Sequence, residues 1–169
     1  MEHNHLDCKP EEFDVSNGIS KKDLKRAQKK IKENAKIVTN ILEQNQIEYF
    51  VSFGTLLGAI RHQGFIPWDD DFDIFLFDDT YNRALKILES KLPEHLKVHS
   101  QSTDKAYYWS FARIKDTNTR VIHKNENAFS DKCNQDYNGL NIDLYRLKKL
   151  NGEEVASHIK KEAEAYWKR

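Results

Sequence analysis

The sequence is poor in cysteine and in long apolar runs, and each shortage excludes a class of protein. The two cysteines in 169 residues, Cys8 and Cys133, form no CxxC pair, so the chain carries neither a disulfide framework nor a structural zinc signature. No apolar run reaches the roughly 18 to 20 residues that cross a bilayer. The N-terminal segment also lacks an apolar signal-peptide core. We therefore expect a cytoplasmic protein, which leaves room for peripheral contact with a membrane.

Net charge is also absent, because 27 Lys and Arg residues balance 27 Asp and Glu residues. Without a basic excess, a broad electrostatic grip on nucleic acid is not expected, and we predict no nucleic-acid partner. Hydrophobic residues make up 38% of the chain and charged residues 32%, a balance typical of a globular domain with a polar surface. The length predicts one domain.

Residues 1–19 have few apolar side chains and no periodicity, so we predict a flexible N-terminal tail followed by a single domain over 20–169. Ser20 begins a helix, with Asp23 three positions on as an approximate capping box. Apolar residues then recur at helical spacing on one stripe, namely Leu24, Ala27, Ile31, Ala35, Val38 and Leu42.

The rest of the chain alternates between strand and helix patterns, which predicts an α/β (α+β) fold with a small mixed sheet and helices on one face. Asp79 is predicted to cap a second long helix that runs to about Leu92. The predicted strands cover 47–53, 72–77, 96–100, 107–115, 120–123 and 140–147, with a short helix after Thr55, a loop over 125–138 and a last helix after Gly152.

The most informative stretch is 52–77, where three consecutive aspartates lead into a strand. Side chains two apart on a strand share a face, so Asp71 and Asp73 should lie side by side. Two carboxylates on one face repel each other unless a cation lies between them, and Mg²⁺ prefers one or two carboxylates plus substrate phosphate. Alone, this DxD pattern is more typical of a solvated acidic loop than of a metal site.

Two further features favour a phosphate and metal site over that acidic loop. The turn Gly54–Thr55 joins a strand to a helix, and backbone amides at a helix N-terminus favour phosphate oxygens. Asp143 lies inside another predicted strand with apolar neighbours, and a carboxylate there needs a partner. A helix-start turn, a DxD and a later strand-borne Asp together form the layout of the nucleotidyltransferase superfamily.

The segment FGTLLGAIRHQGFIPWDDDFDI resembles the signature block of the LicD family, the phosphocholine transferases related to fukutin. FARIKDTNTR and GLNIDLYRL resemble two weaker downstream blocks, so the resemblance covers about residues 40–147. It implies a nucleotidyltransferase-like fold and Mg²⁺-dependent (or Mn²⁺-dependent) transfer of phosphocholine, or a similar alcohol phosphate, from CDP-choline or a related CDP-alcohol to a glycan acceptor. Family members are usually longer, which leaves open a C-terminally incomplete domain.

The resemblance also implies roles for individual residues. Gly54 and Thr55 would contact the donor phosphates, and Asp71 and Asp73 would bind Mg²⁺. Asp143 would complete the carboxylate set, as a metal ligand or as the base toward the acceptor hydroxyl.

Two cations are candidates for phosphate contact. Arg61, at the end of the short helix, could neutralise phosphate or only complement the helix dipole. Lys115 shares a strand face with Arg113, and this pair could hold donor phosphates or line a solvated face; Lys115 fits the family block better.

Two other functions remain open from the sequence. The domain could transfer a nucleotidyl group from a free nucleoside triphosphate, with pyrophosphate as product, or it could bind a nucleotide or glycan without turnover.

Overall fold

The computed structural model describes residues 10–122, 137–155 and 157. The elements follow one another as β1 (Glu11–Asp14), α1 (Lys21–Gln44), β2 (Tyr49–Val51), α2 (Phe53–His62), β3 (Asp73–Phe77), α3 (Asp78–Lys91), β4 (Leu96–His99), β5 (Ala112–Asp116), β6 (Thr119–Ile122) and β7 (Asn141–Leu147).

Helix α1 confirms the predicted cap and stripe. The side chain of Ser20 accepts a hydrogen bond from the N–H of Asp23, which satisfies one of the free donors at the helix start. All six residues of the predicted stripe are buried. Among the described residues, no helix combines the length and the apolar character that crossing a membrane requires.

Five strands form one mixed sheet in the order β2-β3-β7-β5-β4. Strands β3 and β7 are parallel, and the other neighbouring pairs are antiparallel. The predicted fold class, a small mixed sheet with flanking helices, is confirmed. The strands predicted at 47–53, 72–77 and 140–147 form three adjacent members of this sheet.

The two faces of the sheet differ in what covers them. Alternate residues of the strands, among them Ile74, Leu76, Ile114, Ile142 and Leu144, pack with the apolar stripes of α1 and α3 in the main core. The residues between them project to the opposite face because side chains alternate along a strand. Asp73, Arg113, Lys115 and Asp143 belong to this second face.

Several predicted boundaries shift. Helix α3 begins at Asp78 after Phe77, which makes no side-chain capping bond, so the predicted cap at Asp79 is wrong. The strand expected at 107–115 is formed only from Ala112 onward. Residues 152–155 are helical, as predicted after Gly152. The remainder of that helix and most of the loop predicted over 125–138 lie outside the described residues.

The prediction of a loose tail over 1–19 is wrong for the part that the structure describes. Strand β1 pairs in parallel with β6, and Phe13 is fully buried. Glu11 forms ion pairs with Arg26 and Lys30 of α1. The sequence did not show this, because one aromatic residue makes no periodic pattern and its strand partner lies far along the chain. Residues 1–9 lie outside the described part.

Candidate active site

A row of charged side chains crosses three strands on the second face of the sheet. Asp73 of β3 is the register partner of Asp143 of β7, and Asp143 is in turn the partner of Arg113 of β5. Asp73 and Asp143 are each only 4% exposed. Two buried carboxylates and one guanidinium therefore lie side by side at the centre of the sheet.

Asp71 joins this row from the segment just before β3, two positions ahead of Asp73 as the DxD pattern predicted. Burial, followed by the negative charges of Asp69, Asp70 and Asp143, raises the pKa of the Asp71 carboxyl to about 6. Asp71 therefore lies within the field of several carboxylates that resist simultaneous ionisation.

Asp73 is perturbed further. Burial, followed by the charges of Asp71 and Asp143, raises the pKa of its carboxyl to about 7 against the opposing effect of Arg113. The one nearby guanidinium does not offset the negative charge around Asp73. A cation between Asp71 and Asp73 would stabilise both ionised carboxylates.

The start of α2 is hydrogen-bonded directly to the backbone of Asp73. The Oγ1 of Thr55 accepts a hydrogen bond from the N–H of Asp73 at 2.9 Å, and the N–H of Ser52 donates to the carbonyl of Asp73 at 3.1 Å. The helix begins at Phe53, two residues earlier than predicted, with φ of +45°. A bulky residue in that region is strained, so tertiary packing holds this turn against the carboxylates.

Gly54 lies against Asp69. A Cβ at position 54 would overlap the carboxylate of Asp69, so the absence of a side chain makes room for that group. Atom Oδ2 of Asp69 is buried without a hydrogen-bond partner, and burial followed by the charge of Asp70 raises its pKa. A phosphate at the start of α2 would therefore meet a carboxylate, which requires a cation between them.

Asp143 is held by three side chains. Arg113 donates to both carboxylate oxygens, from Nε at 3.1 Å and from Nη2 at 3.3 Å. Asn141 Nδ2 donates to Oδ1 at 2.5 Å, and the hydroxyl of Tyr145 donates to Oδ2 at 3.3 Å. Burial and the charges of Asp143 and Asp73 raise the pKa of Tyr145, so its proton stays available for this bond. From the sequence, Arg113 is a candidate only for phosphate contact together with Lys115. Its contact with Asp143 could not be predicted, because only the strand register shows which residue it opposes.

The donor set suits a hard divalent cation only in part. Asp71 and Asp73 supply oxygen ligands whose raised pKa values mark uncompensated charge, which fits Mg²⁺ bound through two carboxylates and phosphate. Within residues 10–122 and 137–155, however, no group of three or more Asp, Glu, His or Cys side chains is arranged to hold a metal ion. Asp143 lies beside Asp73 and bonds Arg113, but these described carboxylates do not form a ready-made metal cluster in this conformation.

A cavity of about 280 Å³ opens beside the row. Lys115 lines it, with its Nζ donating to the carbonyl of Gly139 at 3.1 Å and to Asn141 Oδ1 at 3.0 Å. The wall is charged on one side and apolar on the other, where β1 and its neighbours contribute Phe13, Val15, Ile19, Val121 and Leu140. Strand β1, which the sequence did not predict, therefore forms part of the cavity wall.

Arg61 lies apart from this group. It is exposed in the last turn of α2, six residues beyond Thr55, which is about 9 Å along the helix axis. Its Nε donates to His62 Nδ1 at 3.4 Å. The structure thus brings together Asp71, Asp73, Asp143, Thr55, Gly54 and Lys115 among the predicted site residues, and it places Arg61 at the far end of the helix.

Asp71 lies just before a central strand, Asp73 lies on that strand and bonds the helix-start turn, and Asp143 lies on the parallel neighbouring strand. This is the layout expected of a nucleotidyltransferase-type site. The family model described as "LicD/FKTN/FKRP, nucleotidyltransferase domain" matches residues 46–168. The chain belongs to this family.

Individual relatives agree with the family match. The chain is 35% identical over 99 residues to the lipopolysaccharide cholinephosphotransferase LicD of Haemophilus influenzae, a match that covers 54% of this chain and 37% of that protein. It is 26% identical over 93 residues to the human ribitol 5-phosphate transferase FKRP, covering 55% of this chain and 19% of FKRP. An uncharacterised Rickettsia prowazekii protein is 35% identical over 91 residues, covering 53% of this chain and 32% of that protein. The chain thus spans about a third or less of the length of these relatives.

Proposed function

We propose that this domain transfers phosphocholine, or a similar alcohol phosphate, from a CDP-activated donor to a glycan hydroxyl in a divalent-cation-dependent reaction. The observation that carries the proposal is the convergence of Asp71, Asp73 and Asp143 beside the Thr55 turn. Its support lies in the charge imbalance at Asp71 and Asp73, because a site with excess negative charge takes a phosphate only together with a cation.

The relatives support the choice of transferred group. One is named for cholinephosphate transfer to lipopolysaccharide and another for ribitol 5-phosphate transfer. Both names describe the movement of an alcohol phosphate. We therefore place CDP-choline first as the donor and a cell-surface glycan as the acceptor, with other CDP-alcohols as the next candidates.

The transfer itself requires one bond to form and one to break. The acceptor oxygen bonds to the phosphorus that carries the alcohol, the bond from that phosphorus to the bridging oxygen of CMP breaks, and CMP leaves. The acceptor proton passes to a carboxylate, for which Asp143 is the candidate if it does not bind the cation. Asp71 and Asp73 would hold Mg²⁺ or Mn²⁺, which supplies positive charge to the donor phosphates. Lys115, on the cavity wall, would contact the same phosphates.

The direct test incubates the whole chain with CDP-choline, MgCl₂ and candidate glycans and follows CMP release. We expect release that falls at least 100-fold in Asp71→Ala and Asp73→Ala, a loss typical of removing a main electrostatic contact in phosphoryl transfer. Asp79→Asn is the matched control, because this carboxylate side chain is 65% exposed and lies on α3. Unchanged release in the two Ala variants contradicts the assigned roles.

The other two functions give different products in the same assay. Pyrophosphate release from CTP, without CMP release from CDP-choline, supports nucleotidyl transfer. Calorimetric binding of CDP-choline and Mg²⁺ without turnover supports a domain that binds only. The cytoplasmic location and the membrane contact stay predictions of the sequence.

A further inference from the structure

The ion pair between Arg113 and Asp143 divides the three carboxylates of the site into two classes. Asp71 and Asp73 carry uncompensated charge, whereas Asp143 accepts hydrogen bonds from Arg113, Asn141 and Tyr145. A cation that enters this conformation finds two carboxylates available and the third already bonded to a guanidinium. A guanidinium that donates two hydrogen bonds to a buried carboxylate does not leave it unless another anion takes the place of that carboxylate.

Such an anion can reach Arg113 from the cavity. The Arg113 side chain is 24% exposed and lines the cavity wall together with Asp71, Lys115 and Asp143. Its guanidinium lies over the rings of Trp109 and Phe111, at 5.2 Å from each centroid. These rings pack against the guanidinium while its Nε and Nη2 donate to Asp143. A phosphate that entered the cavity would compete for those donors, because phosphate is the anion that a guanidinium binds best.

We propose that Arg113 is a positioning residue that withholds Asp143 from the cation until a donor phosphate draws the guanidinium into the cavity. In the nucleotide-free protein, Asp71 and Asp73 would hold the cation without Asp143. Phosphate binding then breaks the contact of Arg113 with Asp143, which frees Asp143 at the moment the donor is in place. This inference rests on the proposed function, since it assumes a cation at Asp71 and Asp73 and a phosphate-bearing donor.

The proposal requires that substitution of Arg113 change cation and nucleotide affinity in opposite directions. In Arg113→Gln, Asp143 is released, so we expect the Mg²⁺ affinity of the nucleotide-free whole chain, measured by titration calorimetry, to rise about tenfold. The affinity for CDP in the presence of Mg²⁺ should fall about tenfold, because the phosphate loses its guanidinium contact. A merely structural role for Arg113 would lower both affinities.

A double-mutant cycle separates release of Asp143 from a general effect of charge. Asp143→Asn alone should change Mg²⁺ affinity less than about threefold, and Arg113→Gln combined with Asp143→Asn should lose the gain. The matched control is Lys115→Gln, which removes one positive charge from the same strand face, where Lys115 bonds Gly139 and Asn141. Its gain should stay below about threefold, because Lys115 Nζ is engaged by the Gly139 carbonyl and Asn141 Oδ1. Arg113→Lys keeps the charge, cannot form the two-pronged contact and should show an intermediate gain if Arg113→Gln does not fold.

Three results would overturn the proposal: no gain in Mg²⁺ affinity in Arg113→Gln or Arg113→Lys, a gain that persists beside Asp143→Asn, or an equal gain in Lys115→Gln. If the unsubstituted chain binds Mg²⁺ and releases CMP while one of these results is obtained, only the role of Arg113 fails. If no variant binds Mg²⁺, the role of Arg113 and the proposed cation dependence fail together.

Discussion

Asp73 and Asp143 are register partners on the parallel strands β3 and β7, and each residue is only 4% exposed. Parallel central strands are usually apolar because both of their faces are covered. Here the open face carries a carboxylate on each strand, and the N–H of Asp143 also donates to the carbonyl of Phe72 at 2.9 Å. The backbone therefore holds two buried carboxylates side by side, although their repulsion and the loss of hydration destabilise the folded state.

This cost gives a prediction for stability. Asp73→Asn removes a buried charge that burial and Asp71 disfavour, so we expect the free energy of unfolding at pH 8 in EDTA to rise by about 1 to 3 kcal/mol. CMP release should fall at least 100-fold in the same variant. Urea denaturation and the transfer assay measure the two effects. Asp79→Asn, an exposed change of the same kind, should alter neither, and a destabilised Asp73→Asn protein would contradict the charge argument.

A second prediction concerns pH. The pKa values of Asp71 and Asp73, raised to about 6 and about 7, mean that the folded chain keeps protons that the unfolded chain has already lost. Between about pH 4 and pH 7 the folded state binds more protons, so the free energy of unfolding in EDTA should fall as pH rises. Urea denaturation at several pH values measures the slope.

His99 must be separated from the two aspartates in this pH measurement, because it also titrates in this range. Burial lowers the pKa of His99, so this side chain adds stability that is present above pH 6.5 and is lost as the pH falls below it, which is the opposite sign. The double variant Asp71→Asn with Asp73→Asn retains His99. Its stability profile should lack the fall between pH 4 and pH 7, and an identical profile in both proteins would show that the aspartates do not cause it.

A third prediction tests the bond that joins α2 to β3. Thr55→Val removes the oxygen that accepts from the N–H of Asp73 and leaves a buried amide without a partner, at a cost of about 1 to 3 kcal/mol. Thr55→Ser keeps the hydroxyl and should cost less than about 1.5 kcal/mol. Denaturation curves measure both. Equal losses in the two variants would mean that the methyl group, and not the hydroxyl, supports this turn.

A fourth prediction concerns Gly54. In Gly54→Ala, the new Cβ overlaps the Asp69 carboxylate, which must then move. Because that carboxylate ends a short side chain, we expect a modest stability loss of about 1 kcal/mol and a larger loss in Mg²⁺ affinity and CMP release. Gly64→Ala is the control, since its Cβ would meet no atom within 4 Å. Unaltered Mg²⁺ affinity in Gly54→Ala would show that Asp69 has no part in the site.

The sequence by itself determined the local features. The Ser20 cap, the apolar stripe of α1 and the spacing of Asp71 and Asp73 depend on residues within one or two turns of one another, so helical and strand periodicity was enough to predict them. The motif resemblance also indicated the family, because a match over a long motif is specific to proteins that share the same fold.

Only the tertiary structure decided which distant groups meet. Arg113 opposes Asp143, Asp69 lies against Gly54, and Phe13 is buried beside the cavity because strand order and register bring them together. A shift of one residue in register would send each of these strand side chains to the other face. Register is set by the packing of the whole sheet against α1 and α3, a property that no short stretch of sequence contains.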